Sequence, residues 1–331
     1  MGHTYRKKQK QSLTEPVSVW AGKDLLDLNR QLDSVTIIFR TIGCYWKKCS
    51  MCGYYSDCAT TSHDDLMAQL RYAMQKFPDN DLIVKIFTSG SFFDEREISS
   101  KTRNDILSKL SSNSNVKKII VESRPEFINP NVISESRDYI SDFEIGVGVE
   151  TSNDFIRERC INKGFTFKDF VQAAETTKNC GASIKAYLLL KPPYLLEKEA
   201  IRDTIKSAKD VSSYASTISI NICNVQNSTK VHEIWKKGCY RSPWLWSVVK
   251  VIQNVKSELK DTIVLSDPVG AGFKRGPHNC GKCDRGISKA IQNFSLSQNI
   301  SVFDSIFCEC EELFERAVQL EKFSFGSPLV F

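Results

Sequence analysis

Three cysteines stand close together in Thr41-Ile-Gly-Cys44-Tyr-Trp-Lys-Lys-Cys49-Ser-Met-Cys52-Gly-Tyr, spaced C-x4-C-x2-C. Thiolates are the usual ligands of iron–sulfur clusters, and a cubane ordinarily takes four of them. Three would leave one iron open to another ligand. Cys58, six residues on, offers a fourth, which would give a saturated electron-transfer cluster or a structural zinc instead. The same spacing opens the plant-type ferredoxin motif, which belongs to a much smaller fold. A second set, Cys280, Cys283, Cys308 and Cys310, is spaced C-x2-C-x24-C-x-C and suits a four-thiolate zinc site, with His278 as a substitute ligand. The alternatives there are two unrelated pairs or a second iron–sulfur cluster.

Seven of the twelve cysteines lie in these two sets, in a chain of 331 residues. That is far below the density of a disulfide scaffold, and the clustering favours metal ligation in a reducing, cytoplasmic setting. The opening MGHTYRKKQKQ is polar and basic, unlike a signal peptide, and Arg6 stands where myristoylation needs Ser or Thr. The greasiest stretch, 186–196, is broken by Lys191, Pro192 and Pro193, so no membrane span is expected. A net charge of +6 permits a nucleic-acid partner without demanding one.

The elements that must position the cysteines follow from periodicity. Residues 1–34 read as a basic arm leading into a short helix over 23–31. Buried strands are predicted at 35–41, 82–87, 117–122, 143–150, 183–190 and 217–222. Helical segments fall between them, at 64–76, 97–111, 131–141, 152–158 with 167–179, and 197–212. Thr166 is the N-cap expected for the helix at Phe167, with Gly181 just past its end. Six β/α units make an α/β partial barrel over 35–225, with a doubly wound sheet as the competing topology. A helical extension, 226–331, carries the second cysteine set.

In βα barrels, chemistry sits on the loops leaving the strands' C-terminal ends, and the three-cysteine loop leaves the first strand. The later strands end in Ser89-Gly90-Ser91, in Glu122-Ser-Arg124-Pro-Glu, in Gly146-Val-Gly148-Val-Glu150 with Arg157 further on, in Lys191-Pro-Pro, and in Asn221-Ile-Cys-Asn224-Val-Gln226. Each alone is an ordinary surface feature; five of them at one mouth form a candidate site. Around the second cysteine set, Lys236, Lys237, Tyr240, Arg241, Trp244, Trp246, Lys274 and Arg275 mix cations with aromatics, as RNA recognition does. The competing reading makes the tryptophans core.

The block from about Val35 to Gln226 resembles a radical S-adenosylmethionine (SAM) enzyme, of the branch shared with the elongator catalytic subunit and the tRNA methylthiotransferases. The cysteine loop, Ser89-Gly90-Ser91, Glu122-Ser-Arg-Pro, the Gly-x-Gly-x-Glu strand and Ile161-Asn-Lys-Gly164 carry the likeness. The first cysteine gap is one longer than the superfamily's commonest, and its Gly-Gly-Glu-like motif is replaced. The resemblance implies a TIM-like partial (β/α)6 barrel in which Cys44, Cys49 and Cys52 hold a [4Fe–4S] cluster that binds SAM. Ser89, Gly90, Ser91, Glu122, Arg124, Glu150 and Arg157 would then bind the cofactor, and Lys191, Asn221, Asn224 and Gln226 the substrate. Asn224-Val-Gln226, Pro243-Trp-Leu-Trp-Ser247 and Gly276-Pro-His-Asn-Cys-Gly-Lys-Cys-Asp284 narrow it to the archaeosine-forming radical SAM proteins of archaea. The methylthiotransferases' extra N-terminal domain is not expected in the 43 residues before Cys44, nor the elongator subunit's acetyltransferase domain after 225.

That family implies a lyase acting on tRNA, which breaks a C–N bond in the lysine adduct of 7-cyano-7-deazaguanine. Its implied partners are tRNA, a lysine-transferring synthase subunit and an electron donor. Two other readings remain at this level: the same radical chemistry on a small metabolite, and a non-catalytic iron–sulfur and zinc RNA-binding module.

Overall fold

Val35 and Ile37 are fully buried on one side of their strand while Ser34 and Thr36 take the other, and this two-residue alternation recurs across the sheet. In the computed structural model, which describes residues 12–321, eight strands form that sheet. They are β1 (Ser18–Asp27), β2 (Arg30–Ile38), β3 (Leu82–Phe87), β4 (Val116–Glu122), β5 (Phe143–Glu150), β6 (Ser183–Leu190), β7 (Thr217–Ile222) and β8 (Ile263–Leu265). Spatial order equals chain order, with β2 to β8 parallel and β1 antiparallel to β2. A doubly wound sheet reverses its strand order at a switch point. No reversal occurs, so the partial barrel is the topology.

The helices are α1 (His63–Met74), α2 (Ser100–Ser111), α3 (Pro130–Tyr139), a short α4 (Asp154–Ile156) running into a wide turn over Arg157–Ile161, α5 (Phe167–Asn179) and α6 (Glu197–Val211). Beyond the sixth predicted strand come α7 (Lys230–Lys236), α8 (Leu245–Glu258), α9 (Asp284–Ser297) and α10 (Cys310–Leu320). Thr166 caps α5 in a reciprocal box with Asp169, and Gly181 takes the left-handed turn after it. Helix α2 begins three residues later than its periodicity predicts, which leaves Glu97 in the preceding turn.

The expected helix over 23–31 does not form. Those residues belong to a hairpin, β1–β2, closed by Leu28 and Asn29, where the Asn29 amide donates to Asp27 Oδ1 at 2.8 Å. Local periodicity lost to tertiary demand: β1 pairs along a β2 edge whose amides and carbonyls would otherwise be unpaired. The first eleven residues of the expected arm, and residues 322–331, lie outside the described part. Strand β8 was unforeseen, because three residues carry no usable period.

Toward the helices the strands are apolar: Ile119 and Val121, Ile145 and Val147, Ile184 and Leu188, and Ile218 and Ile220 join one core with Leu70, Ile106 and Phe170. The alternate positions face a lumen and are largely polar. There Lys85 pairs with Asp24 at 2.9 Å, Lys118 with Glu144 at 3.4 Å, and Thr217 donates to Glu144 at 2.8 Å. Burial works against the Asp24 charge, yet Lys185 and Lys85 bring its carboxyl down to about 2. At the strands' N-terminal ends, α9 lies across the gap between first and last strands. Gln31 donates to Leu296 O at 3.0 Å, and Gln298, just past α9, exchanges two hydrogen bonds with Val264. The lumen therefore opens at the other end, where the cysteine loop sits. No helix among the described residues is long and apolar enough to cross a membrane.

Candidate functional site

The loop after β2 is tied down at three places. Cys44 N donates to Ser89 O at 3.1 Å beyond β3. On the β5 side, Ser50 bonds to Cys160 O and Ile161 O at 2.6 and 2.8 Å, and the Trp46 indole donates to Asn162 O at 2.7 Å. Beyond β7, Gln226 Oε1 accepts from Gly53 N, and Tyr55 donates to Ser228 O, each at 2.6 Å. Cys44, Cys49 and Cys52 are thus held in a loop with little freedom to collapse. The four sulfurs close enough to share a single ion lie elsewhere, at Cys280, Cys283, Cys308 and Cys310. A cubane puts its thiolates on separate irons. Burial pushes the Cys49 thiol up to about 11 against the pull of Lys163, and burial raises Cys52 as well.

Cys58 borders the same loop: its sulfur lies against Gly43, next to Cys44, and donates to Tyr54 O at 3.7 Å.

Ser89-Gly90-Ser91 forms the bed of the loop. A Cβ on Gly90 would stand 2.6 Å from Cys44 N and 2.7 Å from its Cα, besides striking Glu97. Glu97, which no sequence signal singled out, ties the bed together: one oxygen accepts from Thr41 and the other from Ser91 N, both at 2.5 Å. The Ser91 hydroxyl is buried and accepts from Arg124 N at 3.1 Å, so it organises the bed instead of facing a ligand. Gly90→Ala is expected to displace the first cysteine and reduce iron retained after reconstitution by about tenfold, with far-ultraviolet circular dichroism unchanged. Normal iron loading in that variant would show that the close approach is dispensable.

The Gly-x-Gly-x-Glu strand is explained by the lumen. A Cβ on Gly146 would meet the Tyr187 ring at 2.7 Å, and one on Gly148 the Lys163 amine at 2.6 Å and Glu150 Oε1 at 2.9 Å. The two glycines leave room for a buried Lys163–Glu150 pair at 2.5 Å, at a glutamate with φ of +65° that follows an irregularity in the β5–β6 ladder. Lys163, quoted in Ile161-Asn-Lys-Gly164 but given no role, is the site residue the sequence reading missed. Glu122 reaches the same lumen, where burial pushes its carboxyl up to about 7 while Tyr187, Lys185 and Lys163 pull it back. Arg124 is boxed by Tyr45, Trp46 and Phe165, with ring centroids 5.3 to 5.6 Å away. Its Nε donates to Glu126 at 2.6 Å and its Nη1 to Lys163 O at 3.0 Å, and its buried Nη2 has no hydrogen-bond partner. Asn221 is exposed on the lumen face of β7, and Asn224 donates to Val269 O at 3.0 Å while its buried oxygen has no partner.

Three expected roles are corrected by where the side chains point. Arg157 turns its whole guanidinium onto Val149 O, Thr151 O and Asp154, so it braces the β5 exit and offers no fork to a cofactor. Gln226 holds Gly53, directly after Cys52, so its oxygen is not presented to a substrate. Lys191 points away from the lumen into a buried pair with Glu197 at 2.6 Å; Glu197 also accepts from Trp244 N and Ser247. Glu197→Ala would leave that buried ammonium with Glu321 Oε1, 4.0 Å away, as its remaining carboxylate. An expected loss of about 3 kcal/mol follows, read by urea unfolding. A loss near zero would mean that water reaches Lys191.

The second cysteine set assembles at the root of the extension. Cys280 lies 3.7 Å from both Cys283 and Cys308, and Cys283 lies 3.5 Å from Cys310, sulfur to sulfur. A tetrahedral ion with bonds of about 2.3 Å to sulfur has edges of about 3.8 Å. The match is to one ion shared by four sulfurs. His278 is not a member; its Nδ1 faces Gly276 O. Trp246 and Asn279 donate to Cys310 and Cys283 sulfurs at 3.3 and 3.5 Å, the outer partners that thiolates need. Backbone hydrogen bonds from Cys283 and Lys282 bring the Cys280 thiol down to about 6. Trp246 and Tyr240 are core residues, and Trp244 packs on Phe314.

An open-mouthed parallel half-barrel with a three-cysteine loop at its rim is the radical SAM architecture. Two solved structures share the fold: methylornithine synthase, with a TM-score of 0.52 at 12% identity over 86% of this chain and 85% of that one, and the archaeal Elp3 of Methanocaldococcus infernus, with 0.51 at 18% over 69% and 59%. No family model matches the chain. It is 45% identical over 326 residues to archaeosine synthase subunit beta of Methanosarcina acetivorans, covering 96% of this chain and 93% of the relative. The namesake from Thermococcus kodakarensis is 40% identical over 294 residues, covering 86% and 91%. The chain belongs to the archaeosine synthase subunit beta family.

Proposed function

We propose that the chain is a tRNA-modifying radical SAM lyase, which breaks a C–N bond in the lysine adduct of 7-cyano-7-deazaguanine and leaves the formamidine of archaeosine. The observation that carries this reading is the pinned three-cysteine loop over a polar lumen, in a chain 45% identical to an archaeosine synthase subunit beta. The residues fit the group they would hold. Cys44, Cys49 and Cys52 would ligate a [4Fe–4S] cluster, which together with SAM supplies a 5′-deoxyadenosyl radical able to take hydrogen from the substrate.

The chain's own groups bind and orient. Arg124, with one buried donor free, presents charge and a hydrogen bond to a carboxylate such as that of SAM. Glu122 and Glu150 accept from ribose hydroxyls, and Asn221 offers its amide to the substrate from β7. Trp46 and Tyr45 line the rim and limit water at the reacting atoms. The C-terminal cysteines would hold Zn2+. The partners in this reading are tRNA, a second synthase subunit, in keeping with the relatives' name "subunit beta" and read as the one that transfers lysine, and an electron donor, all in the cytoplasm.

Anaerobic incubation of the reconstituted protein with SAM, dithionite and lysine-modified tRNA is the test. Archaeosine and 5′-deoxyadenosine should both accumulate. If neither is formed by protein with a full complement of iron, the reading is wrong.

A further inference from the structure

Of the cations and aromatics that surround the second cysteine set, folding buries Tyr240 and Trp246 and leaves a different group outside. The loop between β8 and α9 makes tight internal turns, with Phe273 N bonding to Gly270 O at 3.2 Å and Gly272 N to Pro277 O at 2.9 Å. It is fastened to the β7 exit through Val225 N and Arg275 O at 2.8 Å. At its tip Phe273 is 73% exposed, with Lys274 beside it. Arg275 stacks over Trp235 of α7 at 5.3 Å and bonds to Asn227 at 2.8 Å, and the exposed Lys236 and Lys237 follow at the end of that short helix and in the turn after it. Asn227 and Ser228 in turn touch the cysteine loop, Asn227 O lying close to Gly53 and Ser228 O accepting from Tyr55. A cationic, aromatic ledge therefore runs from the rim of the lumen outward.

We infer that this ledge, Phe273–Arg275 with Trp235–Lys237, is where the RNA substrate docks, its phosphates on the cations and an unstacked base on Phe273. The inference rests on the proposed tRNA substrate and adds where it binds. A rigid turn that projects one phenylalanine into water gains nothing for the core, whereas base stacking on an exposed ring, combined with a cationic groove, is the ordinary means of holding single-stranded nucleotides. Charge is distributed in keeping with this. The surface at the start of α10 carries Glu309 and Glu311 beside Phe307, while Glu312 and Glu315 there are paired with Arg316 and Lys250, so it offers a polyanion less than the ledge does.

The test uses the reconstituted holoenzyme and an unmodified tRNA transcript, with binding measured by fluorescence anisotropy across salt concentrations. Joint reversal K236E/K237E/K274E should weaken binding more than about tenfold and flatten the log-affinity against log-salt slope by about two to three. Phe273→Ala should weaken it about tenfold with the slope unchanged. Lys101→Glu, on exposed α2, should bind like wild type, and tRNA-independent SAM cleavage should be equal in all of them. If wild type binds in a salt-dependent manner and both ledge variants match it, the ledge is overturned while the tRNA reading stands. If wild type shows no salt-dependent binding, both are overturned. At so exposed a position, Phe273→Ala tests the ledge without endangering the fold.

Discussion

Replacing Cys49 with alanine is expected to leave a folded protein that retains little iron and cleaves SAM at least about a hundredfold more slowly. The trio is anchored by backbone and by Trp46, Ser50 and Gly53, not by its sulfurs, so removing one sulfur should not unravel the loop. Cys58→Ala is the matched comparison. Its sulfur rests against Gly43 and Tyr54 O, and the variant should keep its iron, its sulfide and its 5′-deoxyadenosine production within about twofold. The opposite pattern, Cys58→Ala losing iron and Cys49→Ala keeping it, would mean a cluster saturated by protein and closed to SAM. Iron and acid-labile sulfide analysis together with 5′-deoxyadenosine formation separates the two outcomes.

The second large effect concerns the four C-terminal cysteines. Wild-type protein should carry one zinc per chain that survives desalting, and Cys283→Ser should lose it. Without the ion, four sulfurs packed 3.5 to 3.7 Å apart lose the charge that holds them, and so do the donors Trp246 and Asn279. Asn279 also accepts from Leu245 N and Trp246 N at the start of α8, so the damage spreads to a helix packed in the core. A destabilisation on the order of 4 kcal/mol, or roughly 6 °C in Tm, is expected. Because the Cys283 side chain makes no capping hydrogen bond to α9, the loss isolates the ion from the helix end. An unchanged Tm in the zinc-free variant would show that the cysteines pack without metal.

Much of this was legible in one dimension. Strands β3 and β5 to β7 lie where alternation and β-branched runs put them, and β4 begins one residue earlier. α5 has the predicted bounds, because Thr166 and Gly181 act on their immediate neighbours. The hairpin escaped, since the Leu-rich segment around Leu25 has a helical look that only a neighbouring strand edge overrules. Strands β3 to β7 end where alternation put them, and the directions of several side chains at those ends were not legible. Arg157 and Lys191 look like ligands in sequence because cations at strand ends often are; each is consumed by a partner that spacing does not reveal, Thr151 O and Val149 O in one case and Glu197 in the other. Lys163 and Glu97 were overlooked for the converse reason, since each matters through a contact across the barrel mouth.

The amino-acid order alone determined the cysteine spacings, the β/α rhythm and the loop on which the chemistry sits, because these are properties of neighbours along the chain. Which side chains face the lumen, which cations are left free, and whether four cysteines with 24 residues between their two pairs come together were decided only by the curved sheet and the helices packed on it. The physical reason is that a polar group's direction is set by the partner that satisfies it on burial, and in this fold those partners come from distant strands.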